Sequence, residues 1–241
     1  MQTTLCFDFG NTRLKCGVFN GKELKEVIAL NDDNTSTIEG IIKHKNPQKS
    51  ILSSVIHHNS AIEELLAAKT SFHKLSDKSK LPFTTPVGKP ETIGADRLAL
   101  VAAAVYYYPK QHNLVIGLGS CITYNFVNRF HEFLGGSISP GLEMRFKAMH
   151  HFTAQLPLVK ADSNFPLVGY DTKTNLQTGA ILGMAKEMDG IIDEYALKYS
   201  NFNAHLTGGD MRFFAPLLKK KIFANPHLIF NGLYALSETN G

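Results

Sequence analysis

Leu5-Cys6-Phe7-Asp8-Phe9-Gly10-Asn11-Thr12-Arg13-Leu14-Lys15-Cys16-Gly17-Val18-Phe19 decides the fold. An apolar run ends in an acid, a glycine-led turn follows, and a second apolar run carries Lys15. Gly and Asn between two β-type runs predict a hairpin. Chemistry is concentrated at its tip. Asp8 offers a carboxylate, Gly10 lets backbone approach a ligand, Asn11 and Thr12 offer small donors, and Lys15 offers a cation. Backbone N–H groups, hydroxyls and a lysine suit phosphate, and a carboxylate suits the Mg²⁺ that accompanies it. An ordinary hairpin with a polar tip would read the same way, because a lone short motif is weak.

A second stretch echoes the first. Leu114-Val115-Ile116-Gly117-Leu118-Gly119-Ser120-Cys121-Ile122-Thr123-Tyr124-Asn125-Phe126-Val127 places Gly119 on Gly10, Ser120 on Asn11 and Gly117 on Asp8. Such a repeat predicts two similar halves, residues 1–112 and 113–241, each opening with a glycine-turn hairpin. Between the hairpins, Lys22 to Leu30 reads as a third strand. Ile38, Ile41 and Ile42 recur at helical spacing, Ser50 to Ile56 reads as a buried strand, Ala61 to Ala68 as a helix, and Phe72 to Leu75 as a strand. A meander followed by βα units predicts an α/β fold with mixed sheets flanked by helices.

Ser76 to Thr92 is a polar loop with three prolines, feeding a strongly apolar helix from Leu98 to Tyr108. Asp96 and Arg97 fall in its first turn. The helix dipole explains an acid there but not an arginine. An Asp-Arg pair behind Gly94 and Ala95, at the end of a long loop, is a candidate for catalysis or anion binding. Further on, Phe133 to Ile138 reads as a strand, Leu142 to His151 as a helix, and Asp171-Thr172 opens a long helix toward Tyr199. In that helix Gly179 and Gly183 suggest close packing. Asn203 to Leu206 reads as a strand before Thr207-Gly208-Gly209-Asp210, and His227 to Leu236 as a last strand and helix.

The chain has 241 residues, 44% hydrophobic and 19% charged, with net charge +4. This suits a globular protein of one large or two ordinary domains. The basic run Lys219-Lys220-Lys221 lacks the interleaved aromatics of a nucleic-acid surface, so no nucleic-acid partner is expected. No apolar run reaches the ~18–20 residues of a membrane span. Three cysteines, each in an apolar run, and a Met1 leading straight into a strand predict a cytoplasmic protein with reduced thiols. The ten histidines show no zinc-site spacing. The P-loop, the dinucleotide Gly-x-Gly-x-x-Gly and the Gly-x-Ser-x-Gly elbow are absent from the sequence.

Taken together the motifs resemble the type III pantothenate kinases, of the actin/Hsp70/sugar-kinase superfamily. The family's Asp-x-Gly-Asn-Thr-x-x-Lys is Asp8 to Lys15, and its Pro-x-x-x-Gly-x-Asp-Arg is Pro90 to Arg97. Its Gly-Gly-x-Ile-x-Pro-Gly is Gly135 to Gly141, its Thr with a Gly seven residues on is Thr172 and Gly179, and its Thr-Gly-Gly is Thr207 to Gly209.

The resemblance implies two RNase H-like (actin-like ATPase) domains with an ATP cleft between them. It implies phosphoryl transfer from ATP to pantothenate, the first step toward coenzyme A, by a homodimer. By position, Asp8, Phe9, Gly10, Asn11, Thr12, Arg13, Leu14, Lys15 and Ser120 would hold ATP, with Asp8 near its Mg²⁺. Asp96 would be the general base, and Gly94, Ala95, Asp96, Arg97 and Thr172 would contact pantothenate.

Four positions depart from the pattern, and at one of them, Ser120 in place of the family's Thr, the hydroxyl is kept. The family's monovalent-cation ligand, an Asp serving K⁺ or NH₄⁺, is Gly117 here. Asn125 replaces a frequent Asp, and Val87 a frequent Tyr near pantothenate. These departures keep two other readings open: a non-catalytic nucleotide-binding or regulatory homologue, and a kinase for another small hydroxy acid. Intact Asp96 and Arg97 favour catalysis.

Overall fold

The computed structural model describes residues 2–86 and 88–240. The chain forms two compact units. The first comprises residues 1–110, 127–135 and 227–241; the second comprises 111–126 and 136–226.

In the first unit, β1 (Thr3–Phe9), β2 (Leu14–Asn20) and β3 (Glu23–Leu30) form the meander, and helix α1 (Thr35–Lys45) follows. Strand β4 (Lys49–Ser54), helix α2 (Ala61–Lys69) and strand β5 (Ser71–Lys74) complete a sheet ordered β3-β2-β1-β4-β5. Strands β1 and β2 are antiparallel, while β4 and β5 run parallel to β1 and to each other in turn. Strand β1 is covered on both faces, which is why Leu5-Cys6-Phe7 reads as a continuous apolar run rather than an alternation. Leu5, Phe7, Phe9 and Leu52 pack on one face with Ile38 of α1 and Ile62 and Leu66 of α2. Helix α3 (Ala95–Tyr107) is almost wholly buried from Leu98 to Val105.

The second unit holds β6 (His112–Leu118), β7 (Cys121–Val127) up to Phe126 and β8 (Phe133–Pro140) from Gly136 on, followed by α4 (Leu142–His151) and the long α5 (Thr172–Lys198). Then come β9 (Phe202–Gly208), the short α6 (Met211–Phe214) and β10 (Phe223–Ala224), in a sheet ordered β10-β9-β6-β7-β8. Read from β8, this order matches the first sheet strand for strand. The hairpin echo in the sequence is therefore a repeat of topology. The Met184, Met188 and Ile181 face of α5 packs on Leu114, Ile116 and Leu206 of this sheet's core.

The last helix, α7 (Leu228–Asn240), belongs to the first unit, whereas a boundary at 112/113 would assign it to the second. Two glycines explain the seat it takes. A Cβ on Gly232 would lie 1.9 Å from the Ala99 carbonyl of α3, and one on Gly17 would lie 2.7 Å from the Phe230 ring. Residues 227–236 contain no strand; the preceding strand is the two-residue β10. Gly179 and Gly183 do not mark a close approach either, since a Cβ at either would meet nothing within 4 Å.

Candidate active site

In the first unit the hairpin tip is closed by the Gly10 N–H, which donates to the Arg13 carbonyl at 3.2 Å. Asn11, Thr12 and Arg13 stand exposed on it. Behind the tip, the ladder register pairs Asp8 with Lys15 of β2 and with Ser53 of β4. Paired residues share a sheet face, so cation, carboxylate and hydroxyl form a row across three strands. Burial pushes the Asp8 carboxyl up to about 6; Lys15 pulls it down and Asp96 pushes it up again. The two acids thus sense each other's charge within one unit.

Asp96 is held by its own helix start. A short turn at Pro90–Thr92 leads to Gly94, which caps α3. The Arg97 N–H donates to Asp96 Oδ1 at 2.9 Å. A Cβ on Gly94 would lie 2.5 Å from that same oxygen and 3.6 Å from Val55 Cγ1. Gly94 is therefore the residue that leaves room for the carboxylate. Burial raises the Asp96 pKa, and the Arg97 N–H and guanidinium oppose it. The half-buried Arg97 lies with its guanidinium 5.6 Å from the Phe133 ring centroid. Phe133 is fixed by an edge contact to Phe83 and by its N–H, which donates to the Thr84 carbonyl at 2.8 Å. The proline-rich loop thus shapes the arginine's surroundings, which answers why an arginine sits at the unfavourable end of the helix dipole. Val87 lies outside the described residues.

Two distant glycine motifs converge on the β6–β7 hairpin. The Gly119 N–H donates to the Cys121 carbonyl at 3.0 Å, and the Gly141 N–H to the Ser120 carbonyl at 3.0 Å. A Cβ on Gly141 would lie 2.2 Å from the Gly119 carbonyl oxygen. Gly208, at φ +101°, would place a Cβ 2.1 Å from the Leu118 carbonyl oxygen. Gly136, at φ +149°, would place one 1.9 Å from the Tyr124 carbonyl oxygen. The motifs Gly135–Gly141 and Thr207–Gly209 are thus clamps on the β6–β7 hairpin and its turn, where Ser120 sits.

Gly117 stands opposite Thr207 in the ladder and brings no carboxylate. Asn125 is buried, its amide donating to the Val115 carbonyl at 3.2 Å and to Thr123 Oγ1 at 3.1 Å. Thr172 is exposed in the first turn of α5, where Asp171 Oδ1 accepts the Thr174 N–H at 2.7 Å.

The structure therefore gathers Asp8 to Lys15 with Gly94 to Arg97 in the first unit. Gly117, Ser120 and Thr172 stand in the second. Two polar residues escaped sequence reasoning. Ser53 became visible only through strand register. Glu187 of α5 accepts from Tyr124 Oη at 2.9 Å and from Ser139 Oγ, and pairs with Arg145. Burial raises its pKa, but those three partners together bring it below the usual glutamate value. It ties β7, β8, α4 and α5 together.

Residues 4–194 match the sequence model of the family described as type III pantothenate kinase. The chain belongs to the type III pantothenate kinase family. It is similar to the type III pantothenate kinase of Christiangramia forsetii, 41% identical over 239 residues and 98% of each chain. It is also similar to that of Flavobacterium johnsoniae, 37% identical over 98% of this chain and 96% of the other. Among solved structures, a Campylobacter jejuni protein described as a Baf family transcriptional activator matches with TM-score 0.63, 24% identity and 98% of both chains covered. A glucokinase from an Antarctic psychrotroph matches with TM-score 0.53 at 11% identity, covering 99% of both. Those two likenesses show the fold alone, two mixed sheets flanked by helices.

In this type III pantothenate kinase chain no group of three or more His, Cys, Asp or Glu among the described residues could hold a metal ion. No helix among them is long and apolar enough to cross a membrane.

Proposed function

We propose that this chain catalyses the ATP-dependent phosphorylation of pantothenate to 4'-phosphopantothenate, the first step of coenzyme A biosynthesis, with Asp96 as general base. The observation that carries this reading is the Asp96 carboxylate, fixed at the first turn of α3, beside Arg97 and within electrostatic reach of Asp8. Phosphoryl transfer asks the protein for positioning and charge stabilisation more than for covalent chemistry. Asp96 takes the proton of the attacking hydroxyl. Its raised pKa moves it toward the operating pH, which favours a base that must accept a proton in the transition state. Arg97 holds the pantothenate carboxylate through its fork of donors. Gly94 and Ala95 frame that contact, and Thr172 offers a further hydroxyl.

The exposed turn Asn11-Thr12-Arg13 and Lys15 hold ATP phosphates, and Ser120 keeps a hydroxyl for the same nucleotide. One carboxylate beside a lysine fits a Mg²⁺ that is otherwise ligated by nucleotide phosphates and water. Asp8 would hold that ion, which neutralises charge on the transferring phosphoryl group. A monovalent cation does not fit the position where the family places its carboxylate, because Gly117 has no side chain to offer. Large apolar side chains stand exposed on the second unit, among them Ile138, Met144, Phe152, Leu167, Val168 and Tyr170. They suit a face covered by a second copy of this chain in a homodimer.

The deciding experiment measures ADP release from purified protein with Mg·ATP, with and without pantothenate, in K⁺ and in K⁺-free buffer. Pantothenate-dependent release in both buffers is expected. No release in either, from folded protein that still binds ATP, would instead support the non-catalytic reading. Release with a different hydroxy acid alone would support the third.

A further inference from the structure

Three buried side-chain atoms have no hydrogen-bond partner among the described residues: Asn20 Oδ1, Ser53 Oγ and His131 Nε2. Asn20 ends β2 at the far end of the hairpin from Asp8, opposite Thr3. His131 sits at φ +62° in the turn before β8. Ser53 differs from both, because the register sets it beside Asp8 on the same sheet face. Ser53 is 1% exposed.

A buried hydroxyl without a partner costs stability, and such a group in a native fold calls for an explanation. The neighbouring serine does not share that state. Ser54 Oγ, on the opposite face, pairs with His58 Nδ1 at 2.9 Å and donates to the Ile56 carbonyl at 3.1 Å. Neighbouring strands lie about 4.8 Å apart, so the Asp8–Ser53 register sets the carboxylate and Ser53 Oγ within reach of one another through side-chain rotation about χ1. Carboxylates that ligate a metal ion are as a rule hydrogen-bonded in turn, which fixes the oxygen that faces the ion.

We infer that Ser53 is a positioning residue for Asp8: its hydroxyl donates to the Asp8 carboxylate when that carboxylate holds the divalent cation that accompanies ATP. The inference rests on the reading of Asp8 given above. It assigns the row Lys15-Asp8-Ser53 a division of work. Lys15 meets phosphate, Asp8 meets the cation, and Ser53 orients Asp8.

The test is the Mg²⁺ dependence of binding of a non-hydrolysable ATP analogue, measured by calorimetry on the full chain without pantothenate. Ser53→Ala is expected to raise the Mg²⁺ concentration for half-saturation about 10–100-fold, as loss of an outer-shell partner does. Its melting temperature without ligand stays unchanged or rises, because the residue removed was an unsatisfied one. Ser53→Thr keeps a hydroxyl and restores Mg²⁺ affinity. Should Thr prove too large for the site, Ser53→Cys, a near-isostere with a weak donor, is expected to behave like Ala. Asp8→Asn serves as the reference and weakens Mg²⁺ binding at least as much. An unshifted Mg²⁺ dependence in Ser53→Ala, with a shifted one in Asp8→Asn, overturns the inference alone. An unshifted dependence in both overturns the reading of Asp8 and this inference with it. A Ser53→Ala protein that melts far lower, yet binds Mg²⁺ as before, shows Ser53 to be purely structural.

Discussion

Asp96→Asn keeps the shape of the side chain and removes its basicity. The Arg97 N–H still finds an oxygen, so the start of α3 survives. Turnover is expected to fall by roughly 10²–10⁴-fold with ATP binding nearly unchanged, which steady-state kinetics beside calorimetry would check. Arg97→Ala is expected to act mainly on the pantothenate KM, since it removes the donor fork and leaves the residue-97 N–H on Asp96; loss of the guanidinium also lets the Asp96 pKa rise further.

Asp8 yields a pH prediction. Its folded pKa of about 6 lies above the ordinary 3.8, so the folded state binds its proton more tightly than the unfolded chain does. That contribution to stability is fully present below about pH 4 and is lost as the pH rises through 6. Asp8→Asn never ionises. The variant without ligand is expected to melt close to the parent at pH 4 and above it at pH 8. The gain is on the order of 2–3 kcal/mol, the worth of a shift of about two units. A melting-temperature series across that range checks both the sign and the window.

Gly208→Ala probes the clamps on the second hairpin. At φ +101° a Cβ is strained by about 1–3 kcal/mol, and the Leu118 carbonyl leaves no room for it. The expected result is a lower melting temperature together with weakened ATP binding, measurable in one thermal-shift titration. Much at this scale was legible beforehand. Both hairpins, the long α5 and the apolar body of α3 follow from turn residues and hydrophobic period, which are local signals. The start of α3 at Ala95, three residues before the apolar run, follows from Gly94 and the Asp96 contact.

What was not legible depended on partners distant in sequence. Leu228-Ile229-Phe230 looks like a strand by residue type, yet it is helical because Gly232 lets α7 settle on Ala99. Ser53 looks like any strand serine until β4 is set beside β1. Glu187 lies on a helix whose pattern is otherwise that of a core element. Only the fold brings Tyr124, Ser139 and Arg145 to it.

The division of the chain into units belongs to a larger scale and has its own test. A fragment of residues 1–112 ends near the observed break, but it lacks residues 127–135 and α7. Gly17 and Ala99 would then lose the helix that covers them. The fragment is expected to show helical far-UV circular dichroism with little near-UV signal. Fusing residues 127–135 and 227–240 to it through flexible linkers is expected to restore the near-UV spectrum. A sharp, cooperative unfolding transition from 1–112 alone would contradict this.

The return of the last helix also orders events on the ribosome. The first unit is begun before the second and finished after it, because its closing helix α7 follows the second unit in the chain. At about 5–20 residues per second, roughly 7–26 s pass between residue 110 and residue 241. Through that interval the nascent sheet holds an uncovered face while the second unit is being made and completed ahead of α7. A synonymous change that slows translation late in the message would lengthen that exposure without altering one side chain.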